Sequence, residues 1–304
     1  MDNLVIVVTG STGNVGRVLA ERLLERGARV RAVARNVDGL SRLREHGAEV
    51  RAGSLEDGAF LDETLRGATR LFAMIPPNYT APDFRGYQRQ IAESLAGAIR
   101  RSAVRQVLSL SSIGAELASG NGPIGGLHDL EHRLDELPGV SAVHLRPTYF
   151  MENHLASIGL IQSAGINGSA IRGDLPLPMI AARDIGEVAA DYLAGPEFPQ
   201  GGVRYLLGPR DYTHVEATRI LGASIGRAEL QYRQFPPAQV HQALVESGLP
   251  DSLAGLIVEM QQAFNAGRVH GEPRIAENTT ATSLEQFARD TFAPVYSRSA
   301  NTGA

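Results

Sequence analysis

The sequence predicts an α/β fold: a doubly wound parallel sheet followed by a smaller, mostly helical C-terminal region. Three observations carry this. Short β-branched runs alternate with helical stretches through the first half of the 304-residue chain. A glycine-rich turn joins the first run to the first helix, and the regular alternation stops after Pro147. Strands that alternate with helices pair in parallel, with helices on both faces. A ligand of such a sheet lies at the carboxyl ends of its strands.

The first strand is the apolar run Leu4-Val5-Ile6-Val7-Val8. It opens directly into Thr9-Gly10-Ser11-Thr12-Gly13-Asn14-Val15-Gly16, and residues 15–26 follow with helical spacing and no breaker. A glycine-rich turn between strand and helix lets backbone approach a diphosphate, and the N–H groups at the helix start face its charge. The spacing is Gly-x-x-Gly-x-x-Gly, and a glycine triplet alone is equally a structural turn. Here the preceding strand, the following helix and the place in the chain agree on dinucleotide binding. Gly10, Thr12, Gly13, Asn14, Val15 and Gly16 are the expected contacts.

The next strand, residues 28–35, runs out into Asn36 about twenty residues beyond the last of these glycines. That position touches the adenosine ribose. An acidic side chain there accepts the 2′-hydroxyl, whereas an arginine pairs with a 2′-phosphate. Arg35 stands there beside Asn36 with no acidic residue at the strand tip, which favours NADP(H) over NAD(H). A solvated strand-end cation is the plainer alternative for Arg35. Arg31 is a second base whose face the alternation leaves open.

Helices are expected at 39–46, 57–66, 84–102 and 127–137, and strands at 48–52, 69–75, 105–111 and 140–146, with a glycine-rich loop at 114–126. Beyond Pro147, residues 150–164 read as a helix and 165–178 as a glycine- and proline-rich loop. A helix at 184–194, an isolated strand at 203–208 and helical stretches at 214–225, 237–247, 252–266 and 283–292 complete the pattern. The expected division is a nucleotide-binding Rossmann-type domain at 1–149, rejoined by residues 180–208. Residues 150–179 and 209–296 form a smaller substrate-side domain, and 297–304 a flexible tail.

Composition narrows the function. A net charge of −4, with no basic run longer than Arg100-Arg101, removes any general attraction to nucleic acid. The chain has no cysteine, which excludes disulfides, thiolate metal sites and a thiol nucleophile. No segment approaches the ~20 apolar residues of a membrane span, and the N-terminus lacks a secretory pattern. The expectation is a cytoplasmic monomer or homodimer acting on a small molecule, with no direct nucleic-acid or membrane partner.

Several further segments share a pattern with a known family: Ala34-Arg35-Asn36, Gly53-Ser54-Leu55, Phe72-Ala73-Met74-Ile75-Pro76-Pro77, Ser111-Ser112-Ile113-Gly114-Ala115 and Leu145-Arg146-Pro147-Thr148-Tyr149-Phe150-Met151-Glu152-Asn153. With the glycine-rich turn, they make the chain resemble the NmrA-like branch of the atypical short-chain dehydrogenases. That branch holds NADPH-dependent quinone and azo-dye reductases, isoflavone-reductase-like enzymes and a redox-sensing transcriptional regulator. The resemblance spans nearly the whole chain and is firmer before Tyr149. It implies that Met74, Ile75 and Pro76 line the adenosine and ribose side, and that Pro147 to Phe150 approach the nicotinamide. Ser54 stands where the branch usually carries an acidic residue.

The departures are chemical. A standard short-chain dehydrogenase pairs a tyrosine with a lysine four residues on, after a serine on the preceding strand, so that the phenol can pass a proton to a carbonyl. Here Ser111 keeps the serine's place, but the helix reads His128-Asp129-Leu130-Glu131-His132 and the chain contains no lysine. A lysine-assisted mechanism is excluded by composition. A quinone or azo acceptor takes hydride without a strong acid, so proximity and water exclusion carry more of the work. An imidazole exchanges its proton near neutral pH, which makes His128 a candidate donor. Ser111 is a candidate for orienting the substrate, and Tyr149 and Tyr79 are candidate phenolic donors. His128 and His132 lie at i, i+4 without an evident third ligand, so no metal is expected. Asp129, Glu131, Arg133 and Asp135 read as a solvated face, and residues 253–260 as core.

Two functions follow. One is an NADPH-dependent oxidoreductase acting on a quinone, azo compound or other conjugated acceptor without a Tyr–Lys pair. The other is a non-catalytic NADP sensor that signals through a protein partner. Epimerase and dehydratase chemistry needs the missing tyrosine.

Overall fold

The computed structural model describes residues 4–302. Its first half alternates strictly: β1 (Val5–Val8), α1 (Asn14–Glu25), β2 (Arg29–Ala34), α2 (Ser41–Glu45), β3 (Glu49–Ala52), α3 (Gly58–Thr64), β4 (Arg70–Ala73), α4 (Phe84–Arg101), β5 (Gln106–Leu110), α5 (Gly125–Asp135) and β6 (Ser141–Pro147). Local chemistry sets several of these boundaries. Asp57 caps α3 by accepting from the Ala59 and Phe60 amides, and Asp83 caps α4 through the Gly86 amide. Arg100 and Arg101 stand in the last turn of α4, where cations oppose the helix dipole.

The second half continues with β7 (Tyr149–Phe150), a 3₁₀ stretch (Met151–Ser157), α6 (Ile158–Ala164), β8 (Ile166–Ser169), β9 (Leu177–Ile180), α7 (Ala182–Ala194), β10 (Gly202–Leu206) and β11 (Asp211–Tyr212). α8 (His214–Ser224), β12 (Gln231–Gln234), α9 (Pro237–Glu246), α10 (Asp251–Asn265), α11 (Leu284–Phe287) and α12 (Ala293–Thr302) complete it. No helix among the described residues is long and apolar enough to cross a membrane.

Seven strands form one sheet in the order β10-β6-β5-β4-β1-β2-β3, and every pairing in it is parallel. The strand order reverses at the β1–β4 neighbourhood, which is where a crevice opens in such sheets. All four residues of β1 are buried, as a strand covered on both faces requires. On one face, α1 and α7 pack Val15, Leu19, Leu23, Ile185 and Leu193 against Ile6, Val8 and Phe72. On the other, α3, α4 and α5 pack Leu61, Ile91, Leu95, Leu130 and Leu134 against Val7, Leu71 and Val107. A third core, with Met151, Met179, Tyr212, Leu221 and Phe287, lies beneath a three-stranded sheet β11-β9-β7 and a two-stranded sheet β12-β8.

Two readings are corrected. Residues 150–164 are not one helix: Tyr149 and Phe150 are drawn into pairing with Met179 and Ile180, and only the last turns are α-helical. Residues 165–178, read as a loop, contain β8, which pairs in parallel with β12, a strand that local pattern did not reveal. Pairing partners more than sixty residues apart leave no local period for a short polar strand to show. Residues 297–302, part of the tail expected to be loose, continue α12; residues 303–304 lie outside the described chain.

Candidate active site

The glycine-rich loop sits at the carboxyl end of β1, held by two buried hydroxyls. Thr9 Oγ1 donates to the Phe72 carbonyl (2.9 Å) and accepts from the Met74 amide (3.1 Å), tying the loop to β4. Ser11 Oγ donates to Val8 O (2.7 Å) and accepts from the Val33 amide (3.2 Å), tying it to β2. Gly10 has φ of +66°, and a Cβ there would overlap the Met74 sulfur; a Cβ on Gly16 would overlap the Gly10 carbonyl oxygen. Gly13 precedes the first turn of α1 and donates to Gly10 O (2.9 Å). Thr12, Gly13 and Asn14 are exposed, Val15 and Gly16 buried. First-turn amides of a helix have no intrahelical acceptor, so this turn offers donors and a positive dipole end to an anion. A cradle that any side chain would fill fits a dinucleotide diphosphate.

Arg35 and Asn36 are exposed at the end of β2, and Arg35 makes no hydrogen bond or ion pair with the described residues. Arg31 is the opposite case. Its guanidinium is buried and donates to Glu49 (2.8 Å) and to the Thr64 and Arg66 carbonyls (2.6 and 2.9 Å), so it serves the fold. Pro76 O accepts from the Tyr87 hydroxyl (2.8 Å), which fixes the segment after β4.

A cavity of about 250 Å³ opens where β4, β5 and β6 end. Met74 and Ile75 follow β4, Leu110 to Ile113 end β5, and Thr148 to Phe150 follow β6. Ile124 and Leu127 close one side, with Asn153 at the edge and Met260 and Phe264 of α10 above. Pro147 is the last residue of β6, and its carbonyl accepts from the Ile113 amide (3.0 Å) immediately behind this wall.

The cavity brings together two of the three candidate catalytic side chains, Ser111 and Tyr149, and leaves out His128. Ser111 lines the cavity, but its hydroxyl donates to Glu131, a buried carboxylate that also accepts from Arg146 Nε (3.0 Å) and Nη2 (2.6 Å). Burial pushes the Glu131 carboxyl up, but the Arg146 and Ser111 hydrogen bonds outweigh it and hold the group below the usual carboxylate range. Glu131 is therefore an internal anion and not part of a solvated helix face. His128 does not line the cavity. Its Nδ1 donates to the Ala115 carbonyl (2.8 Å) and its ring meets His132 edge-on at 4.3 Å. Tyr79 is 60 % exposed and lies outside the cavity.

Tyr149 does face the cavity. Its ring packs edge-on against His214 (5.4 Å) and Phe264 (6.3 Å) and against His154 (5.7 Å), and Asn153 lines the same cavity. Burial pushes the phenol well above its ordinary value, so it keeps its proton at neutral pH. Burial also lowers His154 to about 3 and His214 to about 4, leaving both imidazoles neutral behind it. Their Nε2 atoms, and Thr148 Oγ1, are buried with no hydrogen-bond partner among the described residues. Next to this cluster, burial raises the Glu152 carboxyl to about 7, although both its oxygens accept from the Ala182 amide.

Sequence reasoning placed Thr148 by the nicotinamide but did not single out Asn153, Met260 or Phe264 as pocket residues. Asn153 lies inside a segment already recognised. Met260 and Phe264 are an i, i+4 pair on an apolar helix, and spacing alone cannot separate pocket from core.

A profile of the NmrA-like family matches residues 2–289. The chain is 30% identical over 274 residues to the (4-alkanoyl-5-oxo-2,5-dihydrofuran-3-yl)methyl phosphate reductase of Streptomyces griseus subsp. griseus, covering 90% of this chain and 92% of that one. Among solved structures, it is similar to the NADPH-dependent quinone oxidoreductase QOR2 of Escherichia coli complexed with NADPH, with a TM-score of 0.75, 20% identity and coverage of 98% and 100%. The negative transcriptional regulator NmrA in complex with NADP superposes with a TM-score of 0.73 at 16% identity, over 98% of each chain. The matched residues run from the glycine-rich loop through the cavity wall to α10 and beyond: the chain belongs to the NmrA-like family, as an oxidoreductase.

Proposed function

We propose that this chain is an NADPH-dependent oxidoreductase that reduces a conjugated acceptor, such as a quinone, an azo compound or an unsaturated lactone, without a Tyr–Lys pair. The carrying observation is the cavity at the ends of β4, β5 and β6. It opens on the same edge of the sheet as the glycine cradle and the unpaired Arg35, and its walls are apolar and aromatic. Bound NADPH supplies the hydride. The first-turn amides of α1 hold the diphosphate, and Arg35 pairs with the 2′-phosphate. Residues 1–149 with 180–208 act as the nucleotide-holding part, and the remainder shapes the acceptor side.

The cavity walls stack the acceptor and exclude water, which is catalysis by proximity and orientation. As negative charge grows on the acceptor's oxygen or nitrogen, the protonated Tyr149 hydroxyl donates a hydrogen bond to it. Solvent delivers the proton once the reduced acceptor leaves the cavity. Ser111, whose O–H is engaged by Glu131, contributes an oxygen that shapes the floor. His128, committed to Ala115, holds the loop after β5. The Streptomyces relative, a reductase of an oxo-dihydrofuran, supports a conjugated carbonyl as the acceptor class.

The test is direct. Purified protein, NADPH and a panel of small quinones and azo dyes are mixed, and the nicotinamide absorbance is followed. Turnover above the uncatalysed mixture is expected. Its absence across the panel, with tighter binding of NADP than of NADPH, would replace the enzyme with a nucleotide sensor.

A further inference from the structure

We infer that this cavity takes an uncharged acceptor and that an anionic group, phosphate or sulfonate, bars a compound from it. The inference rests on the reductase reading above and sharpens its substrate class. Among the described residues, the polar side chains lining the cavity are Ser111, Ser112, Thr148, Tyr149 and Asn153, all neutral groups. The chain has no lysine to extend into it.

The charges behind the wall do not favour an anion either. Arg146 lies beneath Ser111, but its guanidinium is spent on Glu131, on the Tyr205 hydroxyl (3.0 Å) and on Glu116 (3.4 Å). Two carboxylates therefore share one guanidinium there, and the cluster under the floor is net negative. Arg85, on α4, is paired with Asp129 of α5 (2.9 Å). Arg35 stands past the end of β2, on the nucleotide side of the crevice. An anion placed among apolar walls loses its hydration without a counter-charge, and the low dielectric strengthens its repulsion from the buried Glu131. The Streptomyces relative acts on a phosphate ester, so the two chains part on this point despite their similarity.

The experiment compares matched pairs on the protein saturated with NADPH: 2-methyl-1,4-naphthoquinone against 1,4-naphthoquinone-2-sulfonate, and a hydroxymethyl butenolide against its phosphate ester. Each kcat/KM is divided by the uncatalysed rate with NADPH to remove intrinsic reactivity. In parallel, binding of each compound to the protein–NADP complex is measured by calorimetry. The anionic member of each pair should fall about 100-fold or more in normalised kcat/KM and in affinity, as an uncompensated buried charge requires. Anionic and neutral members within a few-fold of one another in both readouts overturn the inference. If neither is reduced yet only the neutral compound binds, the reductase reading falls and the charge selection stands.

Discussion

At the level of single residues, Arg31 and Arg35 show how position on one strand separates structure from function. Four residues apart, one guanidinium is buried on Glu49 and two carbonyls while the other is exposed and unpaired. Arg35→Ala should weaken NADPH about 10- to 100-fold and leave NADH nearly unchanged, since a charge-assisted contact to phosphate is what is lost. Titration with both nucleotides checks it, and equal losses would remove the 2′-phosphate role. Tyr149 is the second such residue. Tyr149→Phe keeps the ring packing on His214 and Phe264 but deletes the donor, so kcat should fall about 100-fold with NADPH affinity intact. His128→Ala in the same assay should retain most of the kcat; a comparable collapse would return the donor role to the histidine.

Among the elements, the junction of β1, the glycine-rich loop and α1 is a tight backbone contact in the crevice. Gly16 lies so near the Gly10 carbonyl that a methyl group cannot enter without moving backbone. Gly16→Ala should therefore push α1 away from the loop and cost both nucleotide affinity (about 10-fold or more) and stability, by about 1–3 kcal/mol of overpacking. Calorimetry and chemical denaturation measure the two losses. Unaltered binding would show that the loop tolerates displacement. Other elements were less legible. The helix 127–137 was expected with Glu131 outward, because its neighbours Asp129, Arg133 and Asp135 are polar. The carboxylate turns inward because Arg146, fifteen residues on, offers two donors there. β8 and β12 carry no local signal for the same reason, each finding its partner far along the chain.

For the molecule as a whole, Glu152 joins the segment after β7 to the first turn of α7. Burial raises its folded-state value to about 7, above the ~4.3 of an unfolded glutamate. Between those values the folded chain holds the extra proton. The contribution to stability is thus complete below the lower value and declines as pH rises through the upper one. Glu152→Gln should stabilise the protein at pH ~8 by about 1–3 kcal/mol and have little effect near pH ~4. Thermal melts at both pH values test this, and a constant difference between variant and parent at the two would assign the effect to packing.

The sequence by itself determined the parallel sheet, the glycine cradle and the cation at the end of β2. Each depends on residues within one strand or one helical turn, so steric freedom and periodicity display it locally. The alternation also predicted a ligand at the carboxyl ends of the strands, and the absence of lysine removed one whole mechanism. Only the tertiary structure decided which hydroxyls still have a proton to give. Ser111 commits its O–H to a carboxylate twenty residues away, whereas Tyr149 keeps its own within a wall built from α8 and α10. Hydrogen-bond partners and dielectric surroundings are assembled from distant parts of the chain, and no local pattern encodes them.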